Sequence, residues 1–155
     1  MCRNFDFAGG FAPKVVGDLN LAEDYLYFWN DPQGCMLKVG AAIENLVKQI
    51  GARQLLPDIS KGNDSFQDYI QVLAERGILP KKIMQAMEYI RRRRNQANHE
   101  GWDNEYDARE CLKQAHRIMS WCVKYYCLGE PKEYKQPDNL YKPLYGIRKI
   151  ALSNY

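Results

Sequence analysis

The chain has 155 residues, of which 46% are hydrophobic and 26% charged, with a formal net charge of +3. That is enough for one domain with a full core, in ordinary globular proportions, and too little net charge to mark a nucleic-acid binder by itself. Apolar runs extend only a few residues, which excludes a transmembrane helix, and the opening MCRNFDFAGG lacks a signal peptide's apolar core; the sequence reads as cytoplasmic.

Residues 1–12 are irregular and Gly-rich, with Phe5, Phe7 and Phe11 placed to tuck against the domain. Pro13 opens a first helix whose apolar stripe is Val15, Leu19, Ala22, Leu26 and Trp29. Asp31 then caps a second helix, with Pro32 at its first position and a stripe through Met36, Val39, Ile43, Leu46, Val47 and Ile50. Gly51 marks its end. Residues 52–64 form a loop, after which Ser65 caps a short helix bearing Phe66, Tyr69, Ile70 and Leu73, with its stop at Arg76-Gly77. Pro80 opens a long helix that ends near His99 to Gly101, and Asp103 or Asn104 caps the last. That last stripe runs from Ala108 to Tyr126 and terminates at Gly129. It takes in Cys111 and Cys122 as small buried apolar residues. The five cysteines are odd in number and contain no C-x-x-C, so neither a disulfide framework nor a zinc site is expected.

These patterns predict an all-α fold, an antiparallel helical bundle of about five helices over residues 1–129. Residues 130–155 carry Pro131, Pro137, Pro143 and several tyrosines and lysines without a helical stripe. They read as an extended arm or linker. Their interleaved aromatic and cationic residues would also suit a nucleic-acid groove.

The chemistry concentrates in Tyr89-Ile-Arg-Arg-Arg-Arg-Asn-Gln-Ala-Asn-His-Glu100. The apolar stripe Ile83, Met87, Ile90, Ala97 has one position missing, and Arg94 fills it. A guanidinium on that meridian needs a carboxylate, an anion or a wet cleft. It therefore bridges helices through a buried ion pair, snorkels to the surface, or handles an anionic ligand. Glu44 lies beside the apolar face of the second helix. It is placed to pair with Lys48 four residues on, or to orient Arg94 or Arg91. Metal-free RNA cleavage needs a base for the 2′-OH, a cation for the phosphoryl charge and an acid for the leaving oxygen. His99 suits the first or last of these and Arg94 the second, while Asn95 and Asn98 are placed to orient the phosphate or the imidazole. Five residues on a helix separate Arg94 from His99 by about 140°. Either the helix ends early and the ring turns back, or a second copy completes the site. His116 beside Lys113 and Arg117 reads as a half-exposed helix residue, and Trp102 as a cover for the helix junction or a stacking surface for a base.

Arg94-Asn95-Gln96-Ala97-Asn98-His99 resembles the HEPN ribonuclease motif, an arginine followed after four to six residues by a histidine. The likeness extends over roughly residues 4–127 through Asn4-Phe5-Asp6-Phe7, Ala22-Glu23-Asp24-Tyr25, Asp31-Pro32 to Cys35-Met36-Leu37-Lys38, Glu44, and Gly77-Ile78-Leu79-Pro80. In that order they resemble the HEPN-like domain found alone in bacteria and at the N-terminus of type I restriction-enzyme R subunits. Members commonly have an arginine about four residues before the glutamate, where this chain has Gly40, and a glycine before the motif asparagine, where it has Arg94. The tyrosine two residues after the histidine in adenylylated toxins is Gly101 here, so that regulation is not expected.

The resemblance implies a homodimer through the motif helix and a metal-independent endoribonuclease without cofactor, acting as a toxin or phage-defence effector. Arg94, His99 and Asn95 would be catalytic, and Arg91, Arg92, Arg93, Asn98 and Glu44 would bind RNA. An antitoxin or defence-complex subunit would be the protein partner, and no membrane is involved. The other reading is a non-catalytic nucleic-acid or protein-binding module of a restriction or defence complex.

Overall fold

The computed structural model describes residues 3–56, 65–126 and 128–137. Among them every regular element is helical: a 3-10 turn at Asp6–Ala8, then α1 (Pro13–Tyr27), α2 (Pro32–Arg53), α3 (Ser65–Glu75), α4 (Lys81–His99) and α5 (Glu105–Tyr125). They form the expected antiparallel bundle. α2 is its axle, touching each of the other four helices. The reason is its sequence: apolar or small residues recur on more than one side, and Cys35, Met36, Val39, Ala42, Ile43, Leu46, Val47 and Ile50 are all fully buried.

The helix starts follow local chemistry. Pro13 and Pro32 occupy first-turn positions, and the Asp31 carboxylate accepts from the Gly34 N–H at 2.8 Å. Of the two candidates for the α5 cap, Asn104 accepts from the Asp107 N–H at 2.9 Å, while Asp103 accepts from the Gln33 N–H at the start of α2. Ser65, expected to cap α3, is instead its first helical residue, and residues 57–64 before it lie outside the described ones.

Three ends differ from expectation. Trp29 is not on the α1 stripe: α1 stops at Tyr27, Asn30 turns at φ 50°, and the indole is left 38% exposed. Gly51 does not end α2, which continues to Arg53. Its missing side chain serves packing, because a Cβ there would meet the Tyr69 ring of α3 at 3.0 Å. α5 ends at Tyr125 rather than Gly129, and the chain folds back with the Leu128 N–H on the Val123 carbonyl.

The arm begins as predicted, without regular structure through residue 137, and it is fastened. Lys135 and Asn4 exchange two hydrogen bonds, of 2.7 and 2.8 Å. Tyr134 donates to Glu23 at 3.2 Å, and Asn4 donates to the same carboxylate at 2.8 Å. Glu23 is only 1% exposed, and its burial raises the carboxyl pKa. The rest of the arm lies outside the described residues.

His116 is buried rather than half-exposed, enclosed by the rings of Phe5, Phe7 and Tyr134. Burial lowers its pKa, and a backbone hydrogen bond with Lys132 opposes that shift. The unfolded chain therefore binds the proton more readily, so this residue's contribution to stability is lost as pH falls from 6.5 toward the depressed value. His116→Gln is expected to flatten the loss of urea resistance between pH 7.5 and 5.5. Equal slopes for variant and wild type would refute this.

Candidate active site

α4 buries Ile83, Ala86, Met87, Ile90 and Ala97, and Arg94 occupies the gap in that face. Its Nη1 donates to Glu44 Oε1 on α2 at 2.6 Å, and its guanidinium lies 5.1 Å above the Phe66 ring of α3. The bridge between helices is thus the observed use of this arginine, whose side chain is 21% exposed. Glu44 also keeps the Lys48 pairing, at 3.4 Å. The stem of Arg94 crosses Gly40: a Cβ at that position would lie 2.6 Å from the arginine Cβ and closer still to Cγ and Cδ. The two positions at which the chain departs from the pattern it resembles are therefore in contact. A side chain at 40 and an arginine at 94 exclude each other.

The other three arginines separate by exposure. Arg91 is 13% exposed and donates to Glu88 at 3.1 Å. Arg93 donates to Gln96 at 2.8 Å, stands 3.6 Å from Asp107 of α5, and lies 4.7 Å over the Tyr89 ring. The hydrogen bond that Arg93 donates to the Tyr89 oxygen raises the Arg93 pKa, and burial pushes the Tyr89 phenol up to about 12. Arg92 is 71% exposed, with Glu88 4.0 Å away. The run expected to serve as a phosphate patch is thus divided. Arg91 and Arg93, like Glu44, are engaged within the fold, and Arg92 projects into solvent.

α4 stays regular through His99, and the Glu100 N–H continues onto the Gln96 carbonyl at 2.9 Å. The first way of joining Arg94 to His99 therefore fails, because the helix does not end early. Within one chain the two diverge by about 140°. Arg92, Asn95 and His99 behave otherwise. Spaced by three and four residues, they fall within about 60° of arc and about 10 Å of axis. Arg92 and His99 are exposed, as is Asn98, while Asn95 is partly buried and accepts a long 3.5 Å bond from Arg94. This stripe escaped the sequence reading because the missing apolar position drew attention to Arg94. The spacing of seven between Arg92 and His99 carried the signal.

The end of α4 is held from two sides. Gly101, at φ 65°, takes the left-handed conformation that favours glycine. The following Trp102 N–H returns to the Gln96 carbonyl at 3.2 Å, and the Trp102 indole N–H donates to Asp107 Oδ2 at 2.8 Å. Gln33 of α2 donates through its side chain to the Ala97 carbonyl at 2.8 Å. Asp107 and Gln33 were not singled out from sequence, since their roles depend on which helices become neighbours. Among the described residues no three of His, Cys, Asp and Glu stand together as a metal ion would need. Nor is any helix among them long and apolar enough to cross a membrane.

A family model described as a domain of unknown function (DUF4145) matches residues 22–139. That span holds the C-terminal part of α1, all of α2 to α5 and the Arg92–Asn95–His99 stripe; the chain belongs to this family. Searches of the curated proteins and of the solved structures give no match.

Two substitutions test the Arg94 bridge. Gly40→Ala is expected to cost about 1–3 kcal/mol, because the arginine stem is clamped near its own backbone and cannot swing clear. Glu44→Ala removes the partner of a half-buried guanidinium and is expected to cost a similar amount, on the order of 1–3 kcal/mol. Chemical denaturation reads both. Changes below about 0.5 kcal/mol, the range of ordinary surface substitutions, would mean the bridge is idle.

Proposed function

We propose that this chain is a metal-independent endoribonuclease of the HEPN type, taking RNA across the outer face of α4. The observation that carries the reading is the Arg92–Asn95–His99 stripe: a cation, an amide and a histidine in phase along the outer side of α4, with Arg92 and His99 exposed and Asn95 partly buried. The helix bearing it is fixed by Arg94 behind and by the Gln33 and Trp102 contacts at its end. In this reading Arg92, rather than Arg94, faces the phosphoryl oxygens, and Arg94 is a positioning residue.

The chemistry is transesterification. The RNA 2′-oxygen loses its proton to a base and bonds to phosphorus while the P–O5′ bond breaks. The departing oxygen takes a proton from an acid, leaving a 2′,3′-cyclic phosphate and a 5′-hydroxyl. Histidine titrates near neutrality and serves either role, and arginine matches the phosphoryl group. One His99 does not fill both roles at once, and His116 is buried on α5 among aromatic rings. A homodimer with apposed α4 helices would bring two His99 side chains to one cleft, one as base and one as acid. In the cell such an enzyme suits a toxin or phage-defence effector, with an antitoxin or defence-complex subunit as its restraint.

His99→Ala is expected to lower cleavage by about 10²–10⁴-fold with the fold intact, since the ring is exposed at a helix end. Arg92→Ala should lose about 10²-fold without loss of stability, whereas Arg94→Ala should lower stability as well. Cleavage of fluorescent RNA in EDTA, with product ends identified, reads all three. A magnesium requirement, or undiminished cleavage by His99→Ala, would overturn the mechanism. RNA binding without cleavage of any substrate would favour the non-catalytic binding module instead.

Light scattering at micromolar concentration is expected to give twice the mass of one chain. A monomer there would remove the two-histidine arrangement.

A further inference from the structure

Trp102 is the large aromatic nearest to His99 in the chain, and the fold leaves it 40% exposed. Covering the helix junction accounts for the buried part of its ring and not for the rest. Its orientation is set by two bonds: the backbone N–H on Gln96 and the indole N–H on Asp107 at 2.8 Å. The same Asp107 carboxylate faces Arg93 at 3.6 Å and the Tyr89 hydroxyl at 3.3 Å. One acid therefore couples the indole to α4, beside the exposed stripe. A polar edge anchored in this way leaves the apolar ring as the part offered to solvent, which is how a stacking platform is built.

We propose that Trp102 is a nucleobase-stacking subsite, holding an unpaired base next to the phosphate contacted by Arg92 and His99. This inference rests on the RNA reading of that face. Charge favours a base here over a phosphate. Glu100 and Asp103 flank the indole in sequence and are exposed, so they repel a phosphate, while Arg92 attracts one two turns back along α4. Tyr106, in the first turn of α5, is a second exposed aromatic close by in the chain, at 71%. A paired base keeps its faces against its neighbours in the stack, so the subsite selects single-stranded RNA. Few cations project from this face, so binding should show a shallow salt dependence.

The test uses the full chain and a single-stranded RNA made uncleavable by 2′-O-methylation, together with a duplex of the same length. Trp102→Leu, which keeps apolar bulk without an aromatic face, is expected to weaken single-strand binding on the order of tenfold or more. Trp102→Phe keeps a ring and should lose less. Duplex binding should be weak and the same in all three proteins. In a Trp29→Phe, Trp121→Phe background, the remaining Trp102 fluorescence should be quenched by the single strand. If the wild type binds the strand and Trp102→Leu binds equally well, or Trp102 is not quenched, the subsite is refuted while the RNA reading survives. If the wild type binds no RNA, both fall. Binding that depends on Trp102 without cleavage upholds the subsite and sinks only the nuclease reading.

Discussion

The Arg94–Glu44 bridge is the interaction on which the placement of α4 against the bundle depends. It joins α4 to α2, the helix that touches all the others, and α3 closes over it through the Phe66 ring. An arginine on an apolar meridian costs desolvation, which is recovered only if a carboxylate meets it in good geometry. Glu44 does so at 2.6 Å, and Gly40 makes the approach possible by offering no Cβ to the arginine stem. The glycine and the arginine are one structural unit on two helices.

That bridge has a consequence for the outer side of α4. With the charge of Arg94 turned inward, and Arg91 and Arg93 held by Glu88 and Asp107, four adjacent arginines do not make a uniform basic patch. They make a helix with a structural side and a solvent side. Arg92 and His99 lie on the solvent side in phase, because seven residues are nearly two helical turns. The helix end that carries His99 is fixed by contacts to α2 and α5, so the histidine is exposed on a supported backbone.

A buried acid on α1 governs the place where the N-terminal segment meets the arm. Glu23 gathers Asn4 from the N-terminal segment and Tyr134 from the C-terminal one, with Arg3 3.8 Å away. Within the described residues both segments lack long regular structure, and Asn4, Tyr134 and Lys135 bond to one another or to Glu23. Burial raises the Glu23 pKa and depresses that of His116, so the two groups respond to pH in opposite senses. A carboxyl with a raised pKa loses stability as pH rises through the raised value, whereas the histidine loses it as pH falls.

The sequence by itself determined the helices, their order and most of their starts. Stripe periodicity, the Asp31-Pro32 and Pro13 signals and the caps are local, and local geometry is what a sequence encodes most directly. It also marked Arg94 and Glu44 as possible partners, since a charge on an apolar stripe demands one. What tertiary structure alone decided was which side of α4 faces its neighbours, and so which arginine stays outside. The spacing from Arg92 to His99 was present in the sequence. It gained meaning once Glu44, Asp107 and Glu88 had engaged the other three arginines. The role of Gly51 was decided in the same way: as a local signal it reads as a helix stop, but the approach of Tyr69 from α3 makes it a packing gap inside a continuing helix. Close approach between distant segments depends on which faces meet, and that is a property of the assembled bundle.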